Sequence, residues 1–372
     1  MNRLSGLCRL CRQVVFAMAW SGYNRLYAVI EWLWSRRGFL IRCVTRVFAP
    51  VSKRVRHFLG WKEDNGSQDE PENQIPAAAA AADYPEKAEE DDLHCAYDST
   101  WETEGGQEIT VMRARRPAQS RNYKFSRFEH AARDMQNYRH DYPNQIRLHR
   151  WNQNRPSDDM PNLLFYLGTR PSVPDGAFIH DFHHTWKGDY DRLEIVHSYI
   201  QWLFPLQEPG MNPEASTLTK EEIEAFRNNI TAKENLLKSY QLMLDFYGIM
   251  LCDEETGEVN RAPNWRGRFH NLNNHTHNNL RITRILKCLG TLGYPHFQAP
   301  LVQFFLMETL VNGHLPNIKD SVLNYFVFAV LDKKQRRNLI KFAYLNYEPK
   351  DAFVWCPRKI QRMWSEQSAS ET

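Results

Sequence analysis

Histidines are the residues of this chain best suited to bind a metal, and their spacing is a first test of function. His183 and His184 are adjacent, and His270, His275 and His277 lie in one asparagine-rich stretch. Zinc sites use histidines four apart on a helix, or spaced pairs supported by cysteine or carboxylate ligands. His275 and His277 are two apart, which points them to different sides of a helix. We therefore expect helix-terminal or surface histidines, no metal site and no cofactor.

The cysteines indicate a reducing compartment. Seven are scattered along the chain, an odd and unpatterned set that does not resemble a disulfide framework. Cys8 and Cys11 form a single C-x-x-C, but no second pair or nearby histidine pair completes a zinc site. Reversible acylation of these two thiols beside a membrane is the alternative.

The motifs of common enzyme classes are absent from the sequence. It contains no G-x-S-x-G, no glycine-rich phosphate loop, no H-E-x-x-H and no dinucleotide fingerprint. The acidic pairs Asp189/Asp191 and Glu221/Glu222 are typical of helix starts, where carboxylates interact favourably with the helix dipole. We predict that the protein is not an enzyme.

One dense basic run, Lys333, Lys334, Arg336 and Arg337, lies in the second half of the chain. Such a run could bind the nuclear import machinery or nucleic acid. No nucleic-acid-binding motif surrounds it, and the chain beyond residue 60 carries 36 basic against 43 acidic residues. We expect no nucleic-acid partner. A solvated helix face is the alternative to an import signal.

The stretch 191–210, DRLEIVHSYIQWLFPLQEPG, is the element around which the chain should be organised. Its aliphatic residues recur every three or four positions, as on one face of a helix: Leu193, Val196, Ile200 and Leu203. Pro205 cannot continue a helix and favours an extended Phe204, so the helix should stop there. We predict a short apolar helix at the centre of a helical domain, with polar residues on its other side.

Further apolar periodicities predict helices throughout residues 123–357. They begin near Tyr123, Phe178, Thr219, His277, Pro300, Ile318 and Asp332. Thr219 and Glu222 have the spacing of a capping box that starts a helix reaching Tyr247. No run alternates long enough to predict a strand. The predicted fold class is therefore all-α, with a single multi-helix globular domain at 123–357 and a disordered tail at 358–372.

The predicted helix that begins at His277 combines an apolar and a basic face. Ile282, Ile285, Leu289 and Leu292 should point inward. Arg281, Arg284 and Lys287 should point outward, because charged side chains are rarely buried.

Residues 1–61 predict two basic amphipathic helices. Residues 1–60 carry eleven Lys and Arg against one Glu, a net charge of +10. Aromatic and basic side chains that suit an anionic membrane surface are Trp20, Arg25, Trp34, Arg42 and Arg46. Interrupting charges argue against a membrane-spanning helix and no secretion signal is expected. Packing on protein and an organelle transit peptide are the alternatives.

Residues 62–122 predict a disordered linker. The segment is acidic and alanine-rich, and it cannot bury enough apolar surface to offset its ordering entropy. Within it, Cys95–Glu102 (CAYDSTWE) contains two aromatic residues that stand out from their surroundings. This stretch could be a short docking motif, or a chance feature of the composition.

Several stretches resemble one known family. They are DSTWE at 98–102, RHDYP at 139–143, PNLLFY at 161–166, HSYIQWLFPLQEPG at 197–210, NLRITRILK at 279–287 and FQAPL at 297–301. Over residues 95–357 the chain resembles the conserved domain of the opioid growth factor receptor family. The resemblance implies a non-classical opioid receptor, unrelated to seven-helix receptors, that binds Met-enkephalin and regulates growth. It also implies a cytoplasmic, perinuclear and nuclear location.

Met-enkephalin presents two aromatic rings, an amine and a carboxylate, so its receptor needs an aromatic groove and both charges. The candidate ligand residues are Tyr199, Trp202, Glu208, Arg281 and Arg284. The alternative is that Tyr199 and Trp202 belong to the core. The competing function is a membrane-tethered helical scaffold for protein interactions with no peptide-hormone ligand.

Overall fold

The computed structural model describes residues 98–101, 123–142 and 159–370. The predicted membrane-surface residues Trp20, Arg25, Trp34, Arg42 and Arg46 lie outside these residues, as does most of the predicted linker. Within the described ranges, no helix has the length and apolar character needed to cross a membrane.

The described residues form an all-α fold, as predicted. A 3-10 turn at Ser99–Trp101 precedes the helices α1 Tyr123–Arg139, α2 Pro161–Tyr166, α3 Ile179–His184, α4 Tyr190–Ile195, α5 Ile200–Leu203, α6 Lys220–Asn228 and α7 Ile230–Phe246. The second half contains α8 Trp265–Asn274, α9 Asn278–Leu292, α10 Gln298–Leu306, α11 Lys319–Ser321, α12 Val327–Ala329, α13 Lys333–Asn346 and α14 Arg358–Ser370. π-Helical turns at Met307–Val311 and Val322–Phe326 extend α10 and join α11 to α12.

A short hairpin connects α7 to α8, where the sequence indicated a loop. Strands β1 Ile249–Leu251 and β2 Val259–Arg261 pair antiparallel. Gly257 adopts φ +78° in the connecting turn, and a Cβ there would come within 2.9 Å of the Phe297 backbone. Three-residue strands are too short to produce the alternating pattern by which strands are recognised.

Helix α9 forms the centre of the core. Its predicted inward residues Ile282, Ile285, Leu289 and Leu292 are all at most 2% exposed. Gly290 lies where a Cβ would overlap the side chains of Tyr138 and Gln298, so α1 and α10 approach α9 closely at this point.

The predicted continuous helix from Thr219 to Tyr247 is divided at Asn229. Asn229 is extended (φ −100°, ψ 113°), and its Oδ1 accepts a hydrogen bond from the Ala232 amide at 2.9 Å, which starts α7. Asparagine is a strong N-cap because its short side chain satisfies a free amide of the first helical turn. The local cap therefore overrides the apolar periodicity that runs through the break.

Only half of the predicted capping box is formed. Thr219 Oγ1 accepts from the Glu222 amide at 3.1 Å, as expected. The carboxylate of Glu222 instead accepts from the backbone amides of Asn162 (2.7 Å) and Leu163 (3.0 Å) at the start of α2. Glu222 is 1% exposed, so a carboxylate from α6 caps a different helix across the core.

The prediction of a disordered tail at 358–372 is wrong for most of its length, because residues 358–370 form α14. One face of α14 carries Gln361 and Trp364, which are 8% and 6% exposed. The Trp364 ring lies 5.9 Å from the ring of Tyr344 on α13 and 6.0 Å from Trp101. The segment is mostly polar, and its only large apolar residues are Ile360, Met363 and Trp364, a composition that also suits a disordered tail.

Residues 98–101, inside the predicted disordered linker, also pack on this part of the fold. Asp98 and Thr100 are buried, and the Thr100 amide donates to Asp98 Oδ1 at 2.8 Å. The linker prediction does not hold for these four residues, because they find ionic and aromatic partners far away in the sequence.

Replacing Trp364 with Ala should lower the free energy of unfolding by about 3 kcal/mol, because it empties a buried site between two aromatic rings. The matched control is Met363→Ala, at a position 46% exposed, which should change stability by less than about 0.5 kcal/mol. Urea unfolding followed by far-UV circular dichroism measures both. Equal losses for the two variants would mean that α14 does not dock through Trp364.

Candidate functional site

Three cationic side chains follow one side of α9 at intervals of three residues. The prediction that Arg281, Arg284 and Lys287 point outward is wrong: Arg281 is 4% exposed, Lys287 is 2% exposed and Arg284 is half-buried. All three face residues 193–208, which we call the clamped segment. Their charges are tolerated inside because the clamped segment supplies hydrogen-bond acceptors.

Arg281 binds the backbone at the C-terminal end of α4. Its Nη1 donates to the Leu193 carbonyl at 2.7 Å, and its Nη2 donates to the carbonyls of Val196 (2.9 Å) and Glu194 (3.2 Å). The last carbonyls of a helix have no partner within the helix. One planar guanidinium therefore binds three of the carbonyls at the end of α4.

This cap explains why the predicted single helix through residues 191–204 is wrong. Val196 is extended (φ −78°, ψ 130°), so α4 ends at Ile195 and α5 begins at Ile200. The carbonyls that would have continued the helix are bound to Arg281 instead. The predicted stop before Pro205 is confirmed, since α5 ends at Leu203.

Arg284 and Lys287 hold the second half of the clamped segment. Arg284 Nε donates to the Phe204 carbonyl at 2.7 Å, and burial lowers the pKa of this guanidinium. Lys287 Nζ lies 2.9 Å from Glu208 Oε1 and 3.2 Å from Asp134 Oδ2. Two partly exposed carboxylates therefore share one buried ammonium.

The predicted aromatic ligand residues lie in the core. Tyr199 is fully buried and donates its hydroxyl to the Leu193 carbonyl at 2.9 Å; burial raises its pKa to about 12. Trp202 is 1% exposed, and its Nε1 donates to the Val173 carbonyl at 3.0 Å. The structure brings Tyr199 within 3.4 Å of Arg281, but both groups are already engaged within the chain.

A small apolar cavity between α7, α9 and α10 offers no room for a peptide. That cavity has a volume of about 10 Å³ and is lined by Tyr240, Met243, Tyr247, Ile282 and Phe305, among other apolar residues. A volume of this size holds about one water molecule. A ligand would have to approach the clamped segment from its outer surface.

Glu194 forms a polar cluster that sequence reasoning missed. Its carboxylate lies 2.6 Å from His277 Nε2 and accepts from Asn271 Nδ2 at 2.6 Å and from Asn278 Nδ2 at 3.3 Å. Burial by itself would raise the pKa of Glu194. The hydrogen bonds have the larger combined effect, so the pKa is lowered to about 2. No local signal identifies Glu194, because its partners are more than 70 residues away.

Histidines around this cluster make local hydrogen bonds. His197 Nδ1 lies 2.7 Å from the Ile195 carbonyl, and its ring lies 5.1 Å from that of His277. Elsewhere, His183 Nε2 lies 2.9 Å from Ser239 Oγ, and burial lowers the pKa of His183 to about 4. Across the ranges described, no group of three or more His, Cys, Asp or Glu residues is placed to hold a metal ion.

The basic run at the start of α13 is partly internal. Arg336 is 3% exposed, and its guanidinium donates to Thr100 Oγ1 at 2.5 Å and to the Val330 carbonyl at 2.6 Å. Arg337 Nε donates to the Thr100 carbonyl at 2.7 Å. Lys333 is half-buried and Lys334 is exposed. The alternative that this basic run forms a solvated helix face is wrong for Arg336. A role of the run in nuclear import stays a prediction.

Comparison with known proteins places these features in a family. Residues 155–362 match the family model described as the opioid growth factor receptor (OGFr) conserved region. This range covers both the clamped segment and α9. No solved structure matches the chain.

Relatives named opioid growth factor receptor are similar over about two thirds of this chain. The Mus musculus protein is 51% identical over 240 residues, which is 64% of this chain and 37% of the relative. The Homo sapiens protein is 50% identical over 244 residues, 65% of this chain and 34% of the relative. Opioid growth factor receptor-like protein 1 of Rattus norvegicus is 48% identical over 241 residues, 65% of this chain and 50% of the relative. The matched region thus spans between a third and a half of these relatives.

Replacing Arg281 with Met should lower the free energy of unfolding by about 3 kcal/mol, because several buried carbonyls at the end of α4 lose their donor. Arg281→Lys should also destabilise, since one ammonium cannot reproduce the planar contact. Lys187→Met, at an exposed position, is the control and should have little effect. Urea unfolding compares the three; wild-type stability of Arg281→Met would contradict the capping role.

Acid should destabilise the protein through Glu194. Its pKa is about 2 in the folded protein and 4.5 ordinarily, so the unfolded chain takes up the proton first as the pH falls. The stabilisation is complete above about pH 5 and is lost between about pH 5 and pH 2.

In that window the wild type should lose about 1–2 kcal/mol more than Glu194→Gln, a value reduced because solvent screens a partly exposed carboxylate. Urea unfolding at several pH values measures the difference. Parallel pH profiles for the two proteins would show that Glu194 is not stabilised by its neighbours.

Proposed function

Because this chain belongs to the opioid growth factor receptor family, we propose that it is a receptor-like protein that binds an opioid peptide, Met-enkephalin, and acts in growth regulation. The observation that carries the proposal is the family match over residues 155–362. That match includes the clamped segment and the cationic helix α9, where the sequence placed the candidate ligand residues.

The charge around Lys287 supports a place for the amine of the peptide. Glu208 and Asp134 share the single buried ammonium of Lys287, and their side chains are 26% and 47% exposed. The Glu208 carboxylate is therefore only partly covered and can be reached by a cation from solvent. We propose that the protonated N-terminal amine of the peptide binds Glu208 there, since charge-assisted hydrogen bonds to a carboxylate are strong.

The other candidate residues would act mainly by holding this surface in place. Arg281 and Arg284 bind the carbonyls of the clamped segment, and Tyr199 and Trp202 pack beneath it. Direct contact between a peptide and any of these four side chains requires the clamped segment to move away from α9. Binding at the outer surface needs no such movement, so we favour it.

The second candidate function is a membrane-tethered interaction scaffold with no peptide-hormone ligand. The contact of residues 98–101 with α1 and α13 supports it, because a short segment distant in the sequence packs there on the helical domain. Flotation of the full chain with anionic vesicles, compared with neutral vesicles, tests the tether. A scaffold would also retain its protein partners when Met-enkephalin is added.

Met-enkephalin should raise the melting temperature of the full chain in a concentration-dependent way, because a ligand that binds only the folded state stabilises it. Glu208→Gln should weaken binding about tenfold by removing the charge that binds the amine. Glu224→Gln, an exposed acidic residue on α6, is the control and should bind like the wild type.

Titration calorimetry measures the affinities, with an N-acetylated peptide to remove the amine charge. No shift in melting temperature at any peptide concentration would exclude the receptor function. Binding that is unaffected by Glu208→Gln would exclude only the proposed amine site.

A further inference from the structure

Residues 98–101 dock into a cleft lined by three arginines and a tryptophan. We call it the arginine cleft and define it by Arg139 of α1, Arg336 and Arg337 of α13, and Trp364 of α14. Arg139 Nη2 lies 2.8 Å from Asp98 Oδ2, and these two side chains are 4% and 1% exposed. An ion pair this deeply buried fixes the position of the docked residue.

The remaining contacts involve the residues that follow Asp98 in the segment. Thr100 accepts from Arg336 Nε through its hydroxyl and from Arg337 Nε through its carbonyl, at 2.5 and 2.7 Å. The Trp101 ring meets the edge of the Trp364 ring at 6.0 Å. The cleft therefore recognises an acid, a hydroxyl and an aromatic ring at successive points.

The cleft favours an anionic occupant. Three guanidinium groups converge there, and burial together with the nearby charge of Arg139 lowers the pKa of Arg336 to about 10. A buried guanidinium without a counter-ion is strongly unfavourable. Asp98 supplies the carboxylate that compensates this charge.

The docked segment has the properties of a separable peptide ligand. In the sequence, Asp98 lies 41 residues from Arg139, and Thr100 lies 236 residues from Arg336. Its own hydrogen bond from the Thr100 amide to Asp98 Oδ1 shapes the turn of the docked segment. Arg139 Nε and Trp101 Nε1 are buried but have no hydrogen-bond partner among the residues described.

We propose that the arginine cleft is a binding site for acidic peptides containing Asp-Ser-Thr-Trp, and that residues 98–101 are its intramolecular, exchangeable ligand. The site is built from residues other than those assigned to the opioid peptide. When docked, the segment occupies Arg336 and Arg337 and competes for them with any other acidic peptide.

The test uses the full chain and a fluorescein-labelled peptide of residues 96–105, AYDSTWETEG, followed by fluorescence anisotropy. The double variant Asp98→Asn, Trp101→Ala removes the ion pair and the ring contact of the docked segment, so it should bind the peptide at least about tenfold more tightly than the wild type, whose own segment competes. A peptide with Asp98→Asn should bind at least about tenfold more weakly, because it lacks the charge that pairs with Arg139.

Two further substitutions in the double variant separate the cleft from general electrostatics. Arg337→Gln should weaken peptide binding, whereas Lys334→Gln, an exposed charge on the same helix, should not. Equal effects of these two changes, or equal affinity of wild type and double variant, would overturn the proposal. So would an oligothymidylate that displaces the peptide as well as unlabelled peptide does.

Circular dichroism first establishes that the double variant is folded, and a folded double variant that does not bind the peptide also overturns the proposal. If the double variant does not fold, hydrogen exchange of the Thr100 amide in the wild type replaces it. Excess unlabelled peptide should accelerate this exchange by displacing the segment. Unchanged exchange at saturating peptide would then refute the site.

Discussion

Cationic side chains that bind the C-terminal carbonyls of helices determine how this domain is assembled. Arg281 caps α4, Arg268 Nε donates to the Phe246 carbonyl at the end of α7, and Arg227 Nε donates to the Thr291 carbonyl at the end of α9. Lys350 binds three carbonyls at the end of α13. Helix ends leave carbonyls unpaired and carry partial negative charge, so a cation from a neighbouring element satisfies both needs. Each such contact fixes the position of one helix relative to another.

Other cations of the domain pair with carboxylates placed far away in the sequence. Arg139 pairs with Asp98, and Arg261 forms a two-point contact with Glu308 at 2.7 and 2.9 Å. Pairs of this kind add little net stability compared with apolar packing, but removing one partner leaves a buried charge. They therefore specify one arrangement of helices against the alternatives.

The same electrostatics define the two surfaces to which we assign function. At Lys287 two partly exposed carboxylates share one buried ammonium, and we propose that Glu208 also binds the amine of the peptide. In the arginine cleft three guanidinium groups surround the segment that carries Asp98, and we propose that this cleft takes acidic peptides. In both places an ion pair within the domain forms part of the proposed site. The family match spans α9 and α13, which supply Lys287, Arg336 and Arg337, whereas Arg139 of α1 lies outside it.

Local features were determined by the sequence itself. The apolar spacing of α9, the caps at Thr219 and Asp332, and the stop at Pro205 were all predicted and are all observed. Each depends on residues within a few positions, where helix geometry relates spacing directly to contact. The family resemblance likewise rests on contiguous stretches of sequence.

The burial of Arg281, the break after α4 and the docking of residues 98–101 were decided only by the tertiary structure. A pattern rule assigns every cation to solvent, because it cannot see acceptors supplied by another part of the chain. The backbone carbonyls that Arg281 binds lie more than 80 residues away, and the arginines that bind Thr100 lie more than 230 residues away. Whether a charge is buried depends on those distant groups, and only the folded chain brings them together.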